Sequence, residues 1–220
     1  MFPSRLTVGY QSFLNGRLSR ERERYEELAK SGQHPEIMVI GCGDSRVAPE
    51  TIFDADPGEI FVIRNIANLV PPCEPDTETS FHGTSAAIEF GVNALKVKHI
   101  VVLGDASCGG VAAFANNAAP LTKRDFIGKW MSQIAPVAER IGPPTEDRQG
   151  WIRQLEWAVV DYSLANLMTF PAVQDAVEKG TLTLHGAYFG VGTGVLFIRD
   201  PISGRFVPYS ETSQSFSSPD

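Results

Sequence analysis

Three short apolar runs, residues 36–41, 60–63 and 99–104, each end in a turn or loop, and the stretches between them have helical character. A continuous apolar run of that length reads as a strand buried on both faces. Such strands alternating with helices imply a mostly parallel sheet covered by helices. The predicted class is therefore α/β, with a mostly parallel central β-sheet flanked by helices and an N-terminal helical extension. Residues 84–96 show helical spacing, with Thr84 or Ser85 as the expected N-cap. Further helices are expected over 123–139 and 150–169, the latter ended by Pro171. Residues 182–188 and 194–199 read as two strands joined by a turn at 190–194. That Gly-rich turn lacks the Lys-Ser/Thr ending of a phosphate loop.

Ahead of the first strand, residues 19–30 form a charge-alternating helix stopped by Gly32, on a surface or reaching towards a second subunit. Residues 1–208 are expected to form one domain, with 1–34 as a helical arm and 209–220 as a frayed, Ser-rich tail. The chain carries 19 basic and 26 acidic residues, a net charge of −7. That balance argues against nucleic acid and against a polybasic membrane contact. No apolar run reaches the ~18–20 residues needed to span a bilayer. Residues 1–20 hold no apolar core for a signal peptide, so a cytoplasmic protein is expected.

In open parallel sheets the ligand sits beyond the carboxyl ends of the strands. Two of the three cysteines fall there: Cys42 after the first strand and Cys108 after the third. Cys42-Gly-Asp44-Ser45-Arg46 places a thiol, a carboxylate and a guanidinium within one loop. Asp105 precedes Cys108 by three residues. Soft thiolates with one further ligand suit a zinc ion that keeps an open position for water. Arg46 can clamp Asp44 in bidentate fashion and keep it an ionised hydrogen-bond acceptor. Either motif alone reads as a buried thiol beside a surface ion pair. Both together, at the ends of two predicted strands, read as a reactive site.

The two motifs resemble the signatures of the β-class carbonic anhydrases: Cys-x-Asp-Ser-Arg, and Gly-His-x-x-Cys-Gly-Gly, present here as Gly104-Asp105-Ala-Ser-Cys108-Gly-Gly. The resemblance runs through residues 62–70 and the 84–96 helix and continues to about Tyr188. It implies a zinc enzyme, a lyase interconverting carbon dioxide and bicarbonate, assembled as a homodimer or higher oligomer with the active site at the subunit interface. Carried over by position, Cys42 and Cys108 ligate zinc. Asp44 accepts a hydrogen bond from the nucleophile, or becomes a fourth ligand in a closed form, and Arg46 holds it. Gly109 lies where substrate binds.

The departure is Asp105, which stands where the family has a zinc-ligating histidine. A carboxylate is an acceptable zinc ligand, but it makes the first shell with Zn²⁺ sum to −1 instead of zero. A more negative shell raises the pKa of bound water. Three outcomes follow: a working but retuned enzyme, which is favoured; a catalytically silent relative binding an anion or protein; or a hydrolase of a related heterocumulene such as carbonyl sulfide. Among His34, His82, His99 and His185, His82 is the least remote as a substitute ligand. One family branch has an allosteric bicarbonate pocket with a Trp three residues before the first cysteine. Val39 occupies that position here, although Arg64 is present, and the pocket is expected to be absent. Cys73, among Pro71, Pro72 and Pro75, reads as an ordinary loop thiol.

Overall fold

The computed structural model describes residues 2–75 and 82–210. Six strands form one sheet in the order β2-β1-β3-β4-β5-β6: β1 (Ile37–Cys42), β2 (Ile60–Asn65), β3 (His99–Asp105), β4 (Thr183–Phe189), β5 (Leu196–Arg199) and β6 (Phe206–Pro208). The first four strands in that order are parallel, and β5 and β6 are added antiparallel. The expected mostly parallel α/β sheet is thus present, and the turn after β4 closes a hairpin, with the Gly190 N–H donating to the Val195 carbonyl at 2.9 Å.

Alternation along β1 divides the core. Met38 and Ile40 pack with Ile88, Ile100, Val102, Val160 and Leu167 on one face. On the other face Val39 meets Leu103 and Ala187, while Ile37, Ile60, Val62 and Val101 stay partly exposed. Cover on both faces was expected, and on the second face Val39, Leu103 and Ala187 are buried while the positions flanking them are only partly so. Helix α3 (Pro49–Ile52) is only four residues long, and the N-terminal helices α1 (Ser4–Asn15) and α2 (Arg17–Ser31) bury no residue. Helix α2 meets the rest of the chain through Arg24, whose Nε donates to the Pro57 carbonyl at 2.7 Å, and through Leu28, whose side chain packs on Gly58.

Several helix boundaries depart from the sequence reading, each for a local reason. Helix α4 (Gly83–Glu89) is capped by His82, whose Nδ1 accepts from the Ser85 N–H; Thr84 is instead buried, its hydroxyl accepting from Asn65. The helix continues as a π-turn over Phe90–Leu95 and ends at left-handed Lys96. After α5 (Gly109–Ala115), the helix expected over 123–139 divides into α6 (Phe126–Met131), a 3₁₀ turn (Ser132–Ile134) and α7 (Ala135–Ile141). Pro136 cannot donate within a continuous helix but suits the first turn of a new one. The same logic makes Pro171 the first residue of α9 (Pro171–Glu178) as well as the stop for α8 (Arg148–Leu167). The tail expected to fray from Tyr209 still has the Tyr209 N–H on the Leu196 carbonyl at 2.7 Å; residues 211–220 lie outside the described residues. Among the described residues, no helix is long and apolar enough to cross a membrane.

Helix α8 positions the site. Its Ser163 and Asn166 are buried and satisfy the backbone of the loop after β2: Ser163 Oγ donates to the Asn68 carbonyl and accepts from the Val70 N–H, and Asn166 Nδ2 donates to the Val70 carbonyl. The helix comes close to β3 because Gly104 has no side chain. A Cβ there would lie 2.7 Å from Val160 Cγ2 and 3.4 Å from Tyr188 Cδ2. Gly104→Ala should therefore destabilise the fold by ~1–3 kcal/mol through overpacking. Denaturant unfolding checks this, and a stability equal to wild type would show that α8 can shift away freely.

Candidate metal centre

β1 ends at Cys42 and its neighbour β3 ends at Asp105, so the sheet delivers both to one edge. Between Asp105 and Cys108 the chain turns through Ser107 in the left-handed region (φ 60°), and Cys108 becomes the N-cap of α5. The turn folds Cys108 back onto Cys42, with the two Sγ atoms 3.8 Å apart. One ligand atom from each of Cys42, Asp105 and Cys108 lies within 4.8 Å of the others, and all three residues are buried. Among the described residues this is the one such group of His, Cys, Asp and Glu.

Its chemistry points to a cation. Asp105 is 1% exposed, and neither of its carboxylate oxygens has a hydrogen-bond partner. A buried, unpartnered carboxylate is strongly disfavoured without a compensating charge. Burial, with Cys42 beside it, pushes the Asp105 carboxyl up to about 8. The Cys42 thiol is pushed down because Cys108 and the backbone N–H groups of Asp44 and Ala67 can hydrogen-bond its thiolate. Cys108 is pushed up by the same contact with Cys42 and by burial. Three acidic groups that crowd one another in this way are relieved together by a divalent ion with two thiolates and one oxygen.

Asp44 and Arg46 stand at the mouth. Arg46 holds the Asp44 carboxylate in bidentate fashion, Nε to Oδ1 at 2.9 Å and Nη2 to Oδ2 at 2.6 Å, and its backbone N–H also reaches Oδ1 at 2.9 Å. The Arg46 contact holds the Asp44 carboxyl down at about 2, so it is an ionised acceptor at any working pH. Arg46 Nη2 also donates to the Ser107 carbonyl at 3.2 Å, tying the Cys42 loop to the Cys108 turn.

Arg64 stands in the sequence as the counterpart of the arginine of the allosteric bicarbonate pocket, and in the structure it contacts the site loop. Its Nε donates to the Cys42 carbonyl at 2.8 Å and its Nη2 to the Asp44 carbonyl at 2.5 Å, fixing the backbone between the thiol and the carboxylate. Val39 is buried in the sheet. Glu156 of α8 was missed altogether. It is 4% exposed, with Oε1 accepting from the Cys108 N–H at 3.1 Å and Oε2 from the Tyr188 hydroxyl at 2.6 Å. Burial pushes its carboxyl up, against those donated hydrogen bonds.

Beside the centre lies a cavity of about 460 Å³, lined by Cys42, Asp44 and Gly109 and walled mostly by apolar groups, including Ile66, Phe114 and Met131. A Cβ on Gly109 would meet nothing within 4 Å, so its backbone is open to this space. No histidine joins the ligand group. His82 is committed to capping α4, with Nδ1 2.6 Å from Ser85 Oγ. His99 Nδ1 lies 3.1 Å from His185 Nε2, and His99 opens β3 at the end opposite Asp105. His34 contacts the Ser31 carbonyl. Cys73 sits in a loop, its N–H on Thr169 Oγ1.

Comparison with known proteins agrees with this geometry. Residues 37–196 match the family model described as carbonic anhydrase. Beta carbonic anhydrase 3 of Arabidopsis thaliana is 36% identical over 190 residues, covering 84% of this chain and 72% of that protein. Among solved structures, the β-carbonic anhydrase CcaA superposes with a TM-score of 0.84 at 30% identity, over 94% of this chain and 91% of that one. A tetrameric β-carbonic anhydrase from Sordaria macrospora gives 0.76 at 30% identity, over 92% and 96%. Sequence and fold agree over most of its length, and the chain belongs to the β-class carbonic anhydrase family.

Proposed function

We propose that the protein reversibly hydrates carbon dioxide to bicarbonate with a zinc ion held by Cys42, Asp105 and Cys108. The observation that carries this reading is the buried Asp105 carboxylate, both oxygens unpartnered, facing two thiols within 4.8 Å. When bound, zinc supplies a water made acidic enough to act as a nucleophile, here at alkaline pH because the ligand set with the ion sums to −1. Asp44, kept ionised by Arg46, can only accept, so it takes a hydrogen bond from that nucleophile and aims its lone pair. Arg64 and Arg46 hold Asp44 still through the backbone and the carboxylate. The apolar wall of the adjacent cavity suits an uncharged, weakly hydrated substrate, and Gly109 leaves the approach open. A silent, metal-free protein is disfavoured because it would leave the Asp105 carboxyl buried with neither oxygen hydrogen-bonded.

The working unit is a homodimer or higher oligomer, with residues 1–208 as the domain that assembles. The half-exposed apolar face of Ile37, Ile60, Val62 and Val101 supports a second copy as its cover. The Sordaria macrospora relative is tetrameric.

The test is zinc content per chain on protein purified without chelator, followed on the same sample by stopped-flow carbon dioxide hydration. Near-stoichiometric zinc with activity that climbs at alkaline pH is expected. A zinc-free, inactive protein that cannot be reconstituted would overturn the reading.

A further inference from the structure

We infer that Glu156, fixed by Tyr188, is a positioning residue for the metal centre that holds Cys108 in its ligating place. The inference rests on the metal reading above. The turn joining Asp105 to Cys108 carries Ser107 at φ 60°, a conformation that a side-chain-bearing residue adopts only when its surroundings impose it. Two side chains hold the turn. Arg46 Nη2 takes the Ser107 carbonyl at 3.2 Å, and Glu156 Oε1 takes the Cys108 N–H at 3.1 Å.

Glu156 is itself held. Tyr188 OH donates to its second oxygen at 2.6 Å, and Tyr188 is the register partner of Gly104, immediately before the ligand Asp105. Trp157 packs edge-on against Tyr188, ring centroids 5.9 Å apart. The ligand strand β3, its neighbour β4 and helix α8 are therefore joined through one carboxylate. A buried carboxylate is a costly way to fill space among Leu155, Val159 and Val160, which neighbour it along α8. Its two oxygens are spent on the turn and on the residue beside the ligand strand. That is the pattern of an outer group that orients a ligand.

Cobalt(II) binding to the full-length chain tests this, by competition with a chelator of known affinity and by the thiolate-to-cobalt charge-transfer band. Wild type should bind one ion per chain. Glu156→Leu should weaken binding by about 10–100-fold and alter the band. Glu156→Gln keeps an acceptor for the Cys108 N–H and should bind nearly as wild type does, and Tyr188→Phe should fall between. If Glu156→Leu lowers only the melting temperature of the metal-free protein, with affinity and band unchanged, the residue is merely structural and the inference fails. A loss in Glu156→Gln as large as in Glu156→Leu also defeats it. Should Glu156→Leu not fold, Tyr188→Phe decides: weaker binding supports the inference, and unchanged affinity and spectrum overturn it. Wild type that binds no cobalt brings down the metal reading itself, and this inference with it.

Discussion

Asp105→His should move the rise of carbon dioxide hydration with pH towards neutrality by about one to two pH units, on the scale that separates acidified zinc-bound water from the free aquo ion. The sign follows from charge. With two thiolates, a carboxylate leaves the centre at −1 and an imidazole leaves it at zero. The more negative shell makes the metal a weaker Lewis acid, so the nucleophile is generated only at higher pH. Asp105 is buried beside Cys42 and Cys108 and neither of its oxygens has a hydrogen-bond partner, so the change of charge falls on the centre itself. Stopped-flow pH profiles of wild type and variant, compared at equal zinc content, measure the displacement. Superimposable profiles would remove Asp105 from the ligand set.

Asp44→Ala should lower hydration about a hundredfold while zinc content stays near wild type if, as proposed, Asp44 orients the nucleophile without being needed to hold the ion in its open form. Asp44 sits at the mouth, receives both guanidinium hydrogen bonds of Arg46, and contributes no oxygen to the buried ligand group. Its removal leaves Arg46 still anchored on the Ser107 carbonyl, so the turn should keep its shape. Circular dichroism and metal analysis verify that fold and zinc survive. Full activity in the zinc-loaded variant would take Asp44 out of the mechanism.

The two predictions differ in how visible their residues were before folding. Asp44 and Arg46 are two positions apart and meet within one loop, so a five-residue string was enough to pair them. Cys42 and Cys108 are 66 residues apart, yet parallel strands put their carboxyl ends on one edge, and that rule brought the cysteines together correctly. Helix boundaries were less legible. The break near Pro136 and the restart at Pro171 follow from proline chemistry, but composition alone favoured longer helices. Capping by His82 displaced the expected Thr84 because Thr84 was drawn inward to Asn65, a residue of the neighbouring strand β2.

Along the chain, then, lie the strand pattern, the two motifs and the substitution of Asp105 for histidine, because each is a property of neighbouring residues. Only the folded chain shows that Arg64 grips the carbonyls of Cys42 and Asp44 from 22 and 20 positions away, and that Glu156 supports Cys108 from 48. A glutamate in a helical stretch looks like any solvated helix residue. It becomes a buried partner only when β3, β4 and α8 close around it, since a charged group can leave water only where donors from other elements replace it.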